Sequence, residues 1–230
     1  LGPPPTWIPA PADLPLTNVG RAGLTWGELH AASIEQPEAF WRDMLERLQI
    51  LLALVPKDFV LGQGEQARWL PDVTLNIASS CFQNRDPSAL AVVHQRPGGR
   101  ICRMTVQELH ERADLVARCL RERGLRPGAV VSLHLPLSAE AAVLCLGAVL
   151  AGCTAALMSE ELTPAQLQAR FRLAAPELLI TQDALAQGRA RPYERAVEAG
   201  APPAIVLPLG EEPLPPLRPG DCSYGDFLAT

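Results

Sequence analysis

Two patterns of apolar residues alternate along most of this chain, one typical of buried strands and the other typical of helices. Short runs rich in β-branched residues and leucine predict buried strands at 130–135, 153–158, 178–181 and 204–207. Between these runs, apolar residues at steps of three and four, or in nearly continuous stretches, predict helices. Strands and helices that alternate at this spacing are typical of right-handed crossovers on a parallel sheet. We therefore predict an α/β fold, a doubly wound parallel-sheet subdomain with flanking helices.

Two helices of this unit carry clear terminal signals. Thr105 and Glu108 have the spacing of a capping box, in which each side chain satisfies a backbone N–H of the other residue. Gly124 is predicted to end that helix in a left-handed conformation. Ser138 is predicted to cap the next helix, 139–151, whose nearly uniform apolar composition indicates a buried position.

The remaining segments define the predicted organisation of the chain. Five prolines in 208–219 indicate a linker, and 221–230 is expected to have little order of its own. A hairpin is predicted across Pro97-Gly98-Gly99, and a helix from Pro37 carries an apolar stripe that we expect to run on to Leu54. We divide the chain into a proline-rich extended arm (1–25), a helical segment that packs on the body (26–82), the α/β subdomain (83–207) and a linker (208–230).

Composition excludes several classes of protein. The net charge is −5 and no basic run occurs, which argues against a nucleic-acid binder. The longest apolar stretch, 139–157, is interrupted by Glu140 and Gly152, so we predict no membrane span. The six cysteines show no CxxC spacing, and the N-terminus lacks the pattern of a signal peptide. These features predict a cytoplasmic protein with scattered thiols, with the mitochondrial matrix as the alternative.

The sequence shows no clear spacing of residues typical of a metal site, a catalytic nucleophile or an acid–base pair. His94, His110 and His134 fall on different predicted elements without the spacing of metal ligands, and His134 is predicted to be a satisfied core histidine. The serines lack a nucleophile elbow around them. Glu160 and Glu161 are adjacent in a loop, where neighbouring side chains diverge, so a solvated helix entrance is favoured over an acid–base pair. We predict no catalytic residue and no metal ligand in this chain.

Several segments, taken in order, resemble a known family. The matching stretches resemble the N-terminal region of acetyl-CoA synthetases, and they are 37–41, 67–72, 75–78, 104–110, 124–131 and 135–141. Each stretch alone is weak, but together they keep the family's order. The chain is thereby identified as resembling the N-terminal portion of the adenylate-forming acyl-CoA synthetase superfamily.

The resemblance implies an activity that this chain lacks the parts to perform. Such enzymes condense a carboxylate with ATP to an acyl-adenylate and then transfer the acyl group to CoA. The full-length protein would need ATP, Mg²⁺ and CoA, and a Ser/Thr/Gly-rich loop ending in lysine to hold phosphate. Lys57 is the sole lysine here and no such loop occurs. We expect the chain alone to bind no cofactor and to be inactive, with the remaining catalytic part of the same polypeptide as its partner.

The resemblance also implies a CoA-facing corner, which is altered in this chain. A Gly-Gly-Phe-Ser-like turn of the family corresponds to Glu160-Glu161-Leu162-Thr163, and an Arg-Ala-Gly-Arg run to Ala186-Gln187-Gly188-Arg189. By this correspondence the candidate CoA-binding residues are Arg189, Arg191 and Thr163. Two carboxylates near phosphates would repel them. The alternative interpretation is therefore a non-catalytic relative that serves as an interaction or ligand-sensing module.

Overall fold

A computed structural model describes residues 10–62, 64–96, 99–185, 191–210 and 213–229. The chain divides into two compact units, one up to Leu75 and one from Asn76 onward. Several residues named in the sequence predictions lie outside the described residues, namely Pro97, Gly98, the run 186–189 and residues 1–9 of the predicted arm.

The first unit is mainly helical. Its helices are α1 (Asn18–Arg21), α2 (Trp26–Glu35) and α3 (Pro37–Arg47), and a small antiparallel pair joins β1 (Val60–Leu61) to β2 (Arg68–Trp69). Helix α2 begins at a capping box that the sequence analysis missed: the Thr25 backbone N–H donates to the Glu28 carboxylate at 2.7 Å. Helix α3 ends at Arg47, so the expected continuation to Leu54 is wrong. A positive φ of 55° at Gln49 turns the chain away there.

The second unit holds the predicted alternation of strands and helices. Its elements are, in order, α4 (Ile77–Phe82), β3 (Leu90–Gln95), β4 (Ile101–Thr105), α5 (Val106–Glu122), β5 (Val130–His134), α6 (Ala139–Leu150), β6 (Thr154–Met158), α7 (Pro164–Ala174), β7 (Leu178–Gln182), α8 (Pro192–Glu198), β8 (Ala204–Leu207), β9 (Cys222–Ser223) and α9 (Tyr224–Leu228). Strands β3 and β4 form the predicted antiparallel hairpin.

Five of these strands make one parallel sheet in the order β6-β5-β7-β8-β9. Apolar side chains of α5, α6 and α9 pack on one face, against strand residues such as Leu133 and Ile180. Side chains of α7 and α8 pack on the other face, against Leu179 and Val206. The sheet is therefore covered by helices on both sides, and the predicted doubly wound α/β class is confirmed.

Helix α5 begins as its sequence predicts. The Thr105 backbone N–H donates to the Glu108 carboxylate at 2.8 Å, and the Glu108 backbone N–H donates to the Thr105 hydroxyl at 3.2 Å. Val116 and Leu120 of the apolar stripe of α5 are fully buried. A local motif and a helical period thus suffice to set the start of this helix and its buried face.

The segment after the proline-rich stretch is more ordered than its sequence indicates. Strand β9 extends the sheet, and Phe227 of α9 is fully buried, so the expectation of little order in 221–230 is wrong for 222–228. Asp221 holds this segment in place. Its side chain is 1% exposed and accepts hydrogen bonds from the Ala204 backbone N–H at 2.7 Å, the Tyr193 hydroxyl at 2.8 Å and the Arg218 guanidinium at 2.8 Å.

The Asp221 carboxyl group stays ionised although it is buried, because these donors stabilise the carboxylate. Burial opposes ionisation, but the hydrogen bonds from Arg218, Tyr193 and Ala204 outweigh it and lower the pKa of the carboxyl below its ordinary value. A lowered folded-state pKa stabilises the fold above the unfolded-state pKa, and that contribution is lost as the pH falls through the folded value. The network therefore stabilises the sheet edge at neutral pH.

Helices α5 and α6 pack closely enough to require glycine at one position. A Cβ atom on Gly147 would lie 2.5 Å from Val116 Cγ1 and 2.9 Å from the Ala113 backbone oxygen. We expect Gly147→Ala to lower the free energy of unfolding by about 1–3 kcal/mol, the usual cost of overpacking. Urea denaturation followed by circular dichroism measures the change.

The same substitution in α2 is the matched control. Gly27 is also helical, and nothing lies within 4 Å of the position of its added Cβ. Gly27→Ala should leave stability unchanged or raise it by up to about 1 kcal/mol, because alanine favours helices over glycine. Equal stability of the two variants would contradict the close packing of α5 on α6.

Candidate functional site

A cleft lies at the carboxyl ends of the parallel strands, where the topology predicts ligand sites. From β5 the chain crosses to β6 on one side, and β7 then lies on the other side of β5. The connections at β5 and β7 therefore leave in opposite directions, and the crevice between them is where open α/β sheets bind ligands.

Five strand ends and two helices contribute to this cleft, which has a volume of about 1040 Å³. The carboxyl ends of β5, β6, β7 and β8 and the chain that follows them supply most of its wall, and β3, α6 and α9 complete it. The lining residues are His94–Arg96, Leu135–Ser138, Glu140, Glu160, Glu161, Gln182, Leu185, Leu207–Gly210 and Tyr224. The segments thus converge from distant parts of the sequence.

Carboxylates outnumber cations among the described residues of the cleft. Glu140, Glu160 and Glu161 all line it, whereas the one arginine of the described lining, Arg96, is paired with Glu140 at 3.2 Å. Burial, reinforced by the charge of Glu140, raises the pKa of the Tyr224 hydroxyl to about 12. Tyr224 is therefore a neutral hydrogen-bonding group at physiological pH, and the described lining is acidic.

His134 lies at the end of β5, beneath the loop that carries Glu160. The ring is fully buried, which confirms a core position. The Thr181 hydroxyl donates to the His134 backbone oxygen at 3.1 Å and lies 3.4 Å from Nδ1, while Nε2 has no hydrogen-bond partner within the described residues. The prediction that this histidine is satisfied is therefore wrong for one of its two ring nitrogens.

Burial controls the protonation of His134. It lowers the pKa of the imidazole to about 4, although the charge of Glu160 and the backbone of Ser159 and Glu160 act in the opposite direction. The ring is neutral at pH 7.

Of the residues proposed from sequence to bind CoA, the structure describes Thr163 and Arg191. Thr163 is exposed and caps α7: its hydroxyl accepts from the Gln166 backbone N–H at 3.4 Å. Arg191 is exposed immediately before α8. Neither lines the cleft, whereas Glu160 and Glu161 do. The assignment of Arg189, Arg191 and Thr163 to CoA stays a prediction.

Sequence reasoning missed three residues of the cleft, namely Arg96, Gln182 and Tyr224. Gln182 directly follows a predicted strand, so its place at the carboxyl edge could have been inferred from the topology rule. Tyr224 lies in the segment expected to have little order, and Arg96 lies at a hairpin. No local signal distinguishes either residue, because both reach the cleft through tertiary packing.

Other reactive groups in the described part of the chain form no further catalytic cluster. The six cysteines are unpaired, and burial raises the pKa of the Cys119, Cys145 and Cys153 thiols. Among the residues that the structure describes, no three potential metal ligands lie together. Within the same residues, no helix has the length and apolar character needed to cross a membrane.

The buried neutral ring of His134 predicts a specific pH dependence of stability. The unfolded chain binds a proton at this residue near pH 6.5, whereas the folded chain does so only near pH 4. Stability should therefore fall as the pH drops from 6.5 to 4, by about 3 kcal/mol from this residue. His134→Gln should remove that part of the dependence, as measured by urea denaturation at several pH values.

The control for this experiment is His110→Gln, which changes a histidine whose side chain is 46% exposed. That variant removes a histidine but keeps the buried imidazole of His134, so its stability is compared with that of His134→Gln at each pH. If His134→Gln and wild type lost stability equally between pH 6.5 and 4, burial of a neutral imidazole at this position would be refuted.

Comparison with known proteins places this geometry in a family. The model of the family described as AMP-binding enzyme matches residues 81–217. Probable acyl-activating enzyme 17, peroxisomal, from Arabidopsis thaliana is 29% identical over 98% of this chain and 35% of its own length. Hexanoyl-CoA synthase from Cannabis sativa is also 29% identical, over 98% of this chain and 35% of its own length. The acetyl-coenzyme A synthetase of Xylella fastidiosa (strain Temecula1 / ATCC 700964) is 30% identical over 74% of this chain and 28% of its own length.

A solved structure shares the fold. Acetoacetyl-CoA synthetase from Streptomyces lividans superimposes with a TM-score of 0.81 at 21% identity, over 99% of this chain and 38% of that protein. The chain spans about a third of the length of the curated relatives that it matches. Because the family model covers more than half of the chain, including four of the five strands of the parallel sheet and most of the described cleft lining, this chain belongs to the AMP-binding enzyme family.

Proposed function

We propose that this chain is the N-terminal part of an AMP-forming acyl-CoA synthetase. The whole protein would join a short carboxylic acid to ATP, releasing pyrophosphate, and would then pass the acyl group from the adenylate to the CoA thiol, releasing AMP. The observation that carries the proposal is the family match over 81–217, because these residues build four of the five strands of the sheet whose carboxyl edge forms the cleft.

The described residues of the cleft do not suit the phosphates of ATP or CoA by themselves. Three carboxylates line it, and its arginine is already paired with Glu140. Phosphate-transfer sites need cations and backbone amides to offset charge. We therefore assign no phosphate step to this chain, whose role is to supply the sheet scaffold and one wall of the site.

The phosphate-binding elements would come from the rest of the polypeptide. Lys57 is the sole lysine of these 230 residues, and it lies in the first unit. No Gly-rich phosphate loop occurs in the sequence. The partner of this chain is thus the remaining catalytic part of the same protein, and the chain alone should show no turnover.

The named relatives support a substrate class. Their names specify hexanoyl-CoA and acetyl-CoA as products. We extend this to a short unbranched carboxylic acid for the present protein. Two relatives are named peroxisomal. We therefore consider the peroxisome as a third candidate compartment, besides the cytoplasm and the mitochondrial matrix.

A second candidate function is favoured by one feature of the cleft. Glu160 and Glu161 both face it, at the corner where the family resemblance implies CoA. Carboxylates at this position would repel a phosphate-bearing ligand. The whole protein would then be a non-catalytic relative, acting as an interaction or ligand-sensing module.

The decisive experiment uses the longer polypeptide that contains this segment. We expect it to exchange labelled pyrophosphate into ATP in the presence of acetate, butyrate or hexanoate, and to form the acyl-CoA when CoA is added. The 230-residue chain should do neither under the same conditions. Failure of the longer protein with all three acids would refute the ligase proposal and favour the non-catalytic module.

The carboxylates of the corner can be tested in the same assay. Glu160→Gln with Glu161→Gln should lower KM for CoA about fivefold if CoA phosphates pass this corner, since one unit charge at short range in water is worth about 1 kcal/mol. Pyrophosphate exchange, which does not involve CoA, should be unchanged. An unchanged KM for CoA would mean that the phosphates of CoA do not pass near Glu160 and Glu161.

A further inference from the structure

A basic hollow lies beside the cleft, between the β3–β4 hairpin and helix α5. It has a volume of about 330 Å³, and four arginines line it: Arg96, Arg100, Arg103 and Arg112. We propose that this hollow binds the phosphate group of a small anionic molecule. The proposal concerns a surface outside the cleft and does not depend on the ligase activity.

The acidic residues of the hollow are already engaged. The Glu108 carboxylate caps α5, accepting from the Thr105 backbone N–H at 2.8 Å and from the Thr105 hydroxyl at 3.3 Å. The Glu140 carboxylate accepts from Arg96 at 3.2 Å. Both negative charges of the lining therefore have partners within the protein.

Three of the arginines have no such partner. Within the described part of the chain, the guanidinium groups of Arg100, Arg103 and Arg112 make no hydrogen bond or ion pair to another residue. All three residues are exposed, so their charges are hydrated rather than buried. The described lining of the hollow thus carries four arginines against two glutamates, and it is net positive in a chain whose net charge is −5.

The fold brings these arginines together from three positions. Arg100 precedes β4, and Arg103 lies within it, paired in register with Val93 of the neighbouring strand. Helix α5 starts directly after β4 and carries Arg112 in its second turn. The charges of Arg112 and Glu140 both act on the Tyr224 hydroxyl, which places Arg112 near the border between the hollow and the cleft.

The chemistry of the guanidinium group selects the ligand. Its planar array of donors matches the oxygens of a phosphate and binds them with two parallel hydrogen bonds. Three unpaired guanidinium groups match an anion of charge −3 to −4, such as a diphosphate, better than a single carboxylate. Because the arginines are exposed, the affinity should be modest and should fall as the salt concentration rises.

Calorimetric titration of the 230-residue chain with inorganic pyrophosphate tests the proposal. The variant Arg100→Gln/Arg103→Gln/Arg112→Gln should bind at least about tenfold more weakly than wild type, since hydrogen bonds to charged groups contribute about 1.5–3 kcal/mol. The matched control is Arg85→Gln/Arg170→Gln/Arg172→Gln. Three exposed arginines are again neutralised, so both variants have a net charge of −8, from −5 minus 3.

Comparison of the two triple variants distinguishes a specific pyrophosphate site from a general effect of net charge on binding. The proposal stands if the control variant binds pyrophosphate like wild type while the hollow variant does not, with both variants unfolding at the wild-type urea concentration. Equal losses in the two triple variants would overturn it, as would unchanged binding in the hollow variant. If the hollow variant unfolds early, the single variant Arg112→Gln must weaken binding in a folded protein, and no weakening would overturn the proposal.

Two further titrations identify the source of the phosphate. Coenzyme A and ATP are compared with pyrophosphate at the same ionic strength. Equal affinities would mean that the hollow recognises the phosphate alone, and tighter binding of one nucleotide would assign that molecule to it. Failure of all three to bind wild type at millimolar concentration would overturn the proposal.

Discussion

The pairing of β5 with both β6 and β7 is the constraint on which the second unit depends. This strand forms parallel hydrogen bonds on both sides, and alternate residues face opposite layers of helices. Leu133 packs with the α5–α6 layer, while Ser132 and His134 are buried on the opposite face. Because the chain reverses its direction of winding at β5, the carboxyl ends of the strands open into a cleft there. The same pairing thus sets the core and the candidate site.

The sequence predicts those features of the fold that depend on residues close together in the chain. The capping box of α5 involves two residues three positions apart, and the strands appear as compact apolar runs. The segment 222–228 could not be predicted this way. Asp221 orders it through Tyr193, 28 residues away, and Ala204, 17 residues away, and such partners leave no local period.

The candidate site was less predictable than the fold for the same reason. Topology alone implies that residues after the strands, such as Gln182 and Glu160, meet at one edge. It does not bring in Tyr224, which depends on the docking of α9. The family resemblance pointed to Thr163, yet its hydroxyl is engaged in capping α7. A residue's correspondence to a family motif therefore does not establish its contact with a ligand.

Charge differs between the cleft and the basic hollow. The described lining of the cleft carries Glu160 and Glu161 without a matching free cation, whereas that of the basic hollow carries three arginines without a partner among the described residues. Arg96 and Glu140 line both and form an ion pair at their border. Around this pair, the carboxylates on one side would repel a phosphate and the guanidinium groups on the other would attract it. The fold thus places an acidic surface and a basic surface next to each other, with one ion pair at their border.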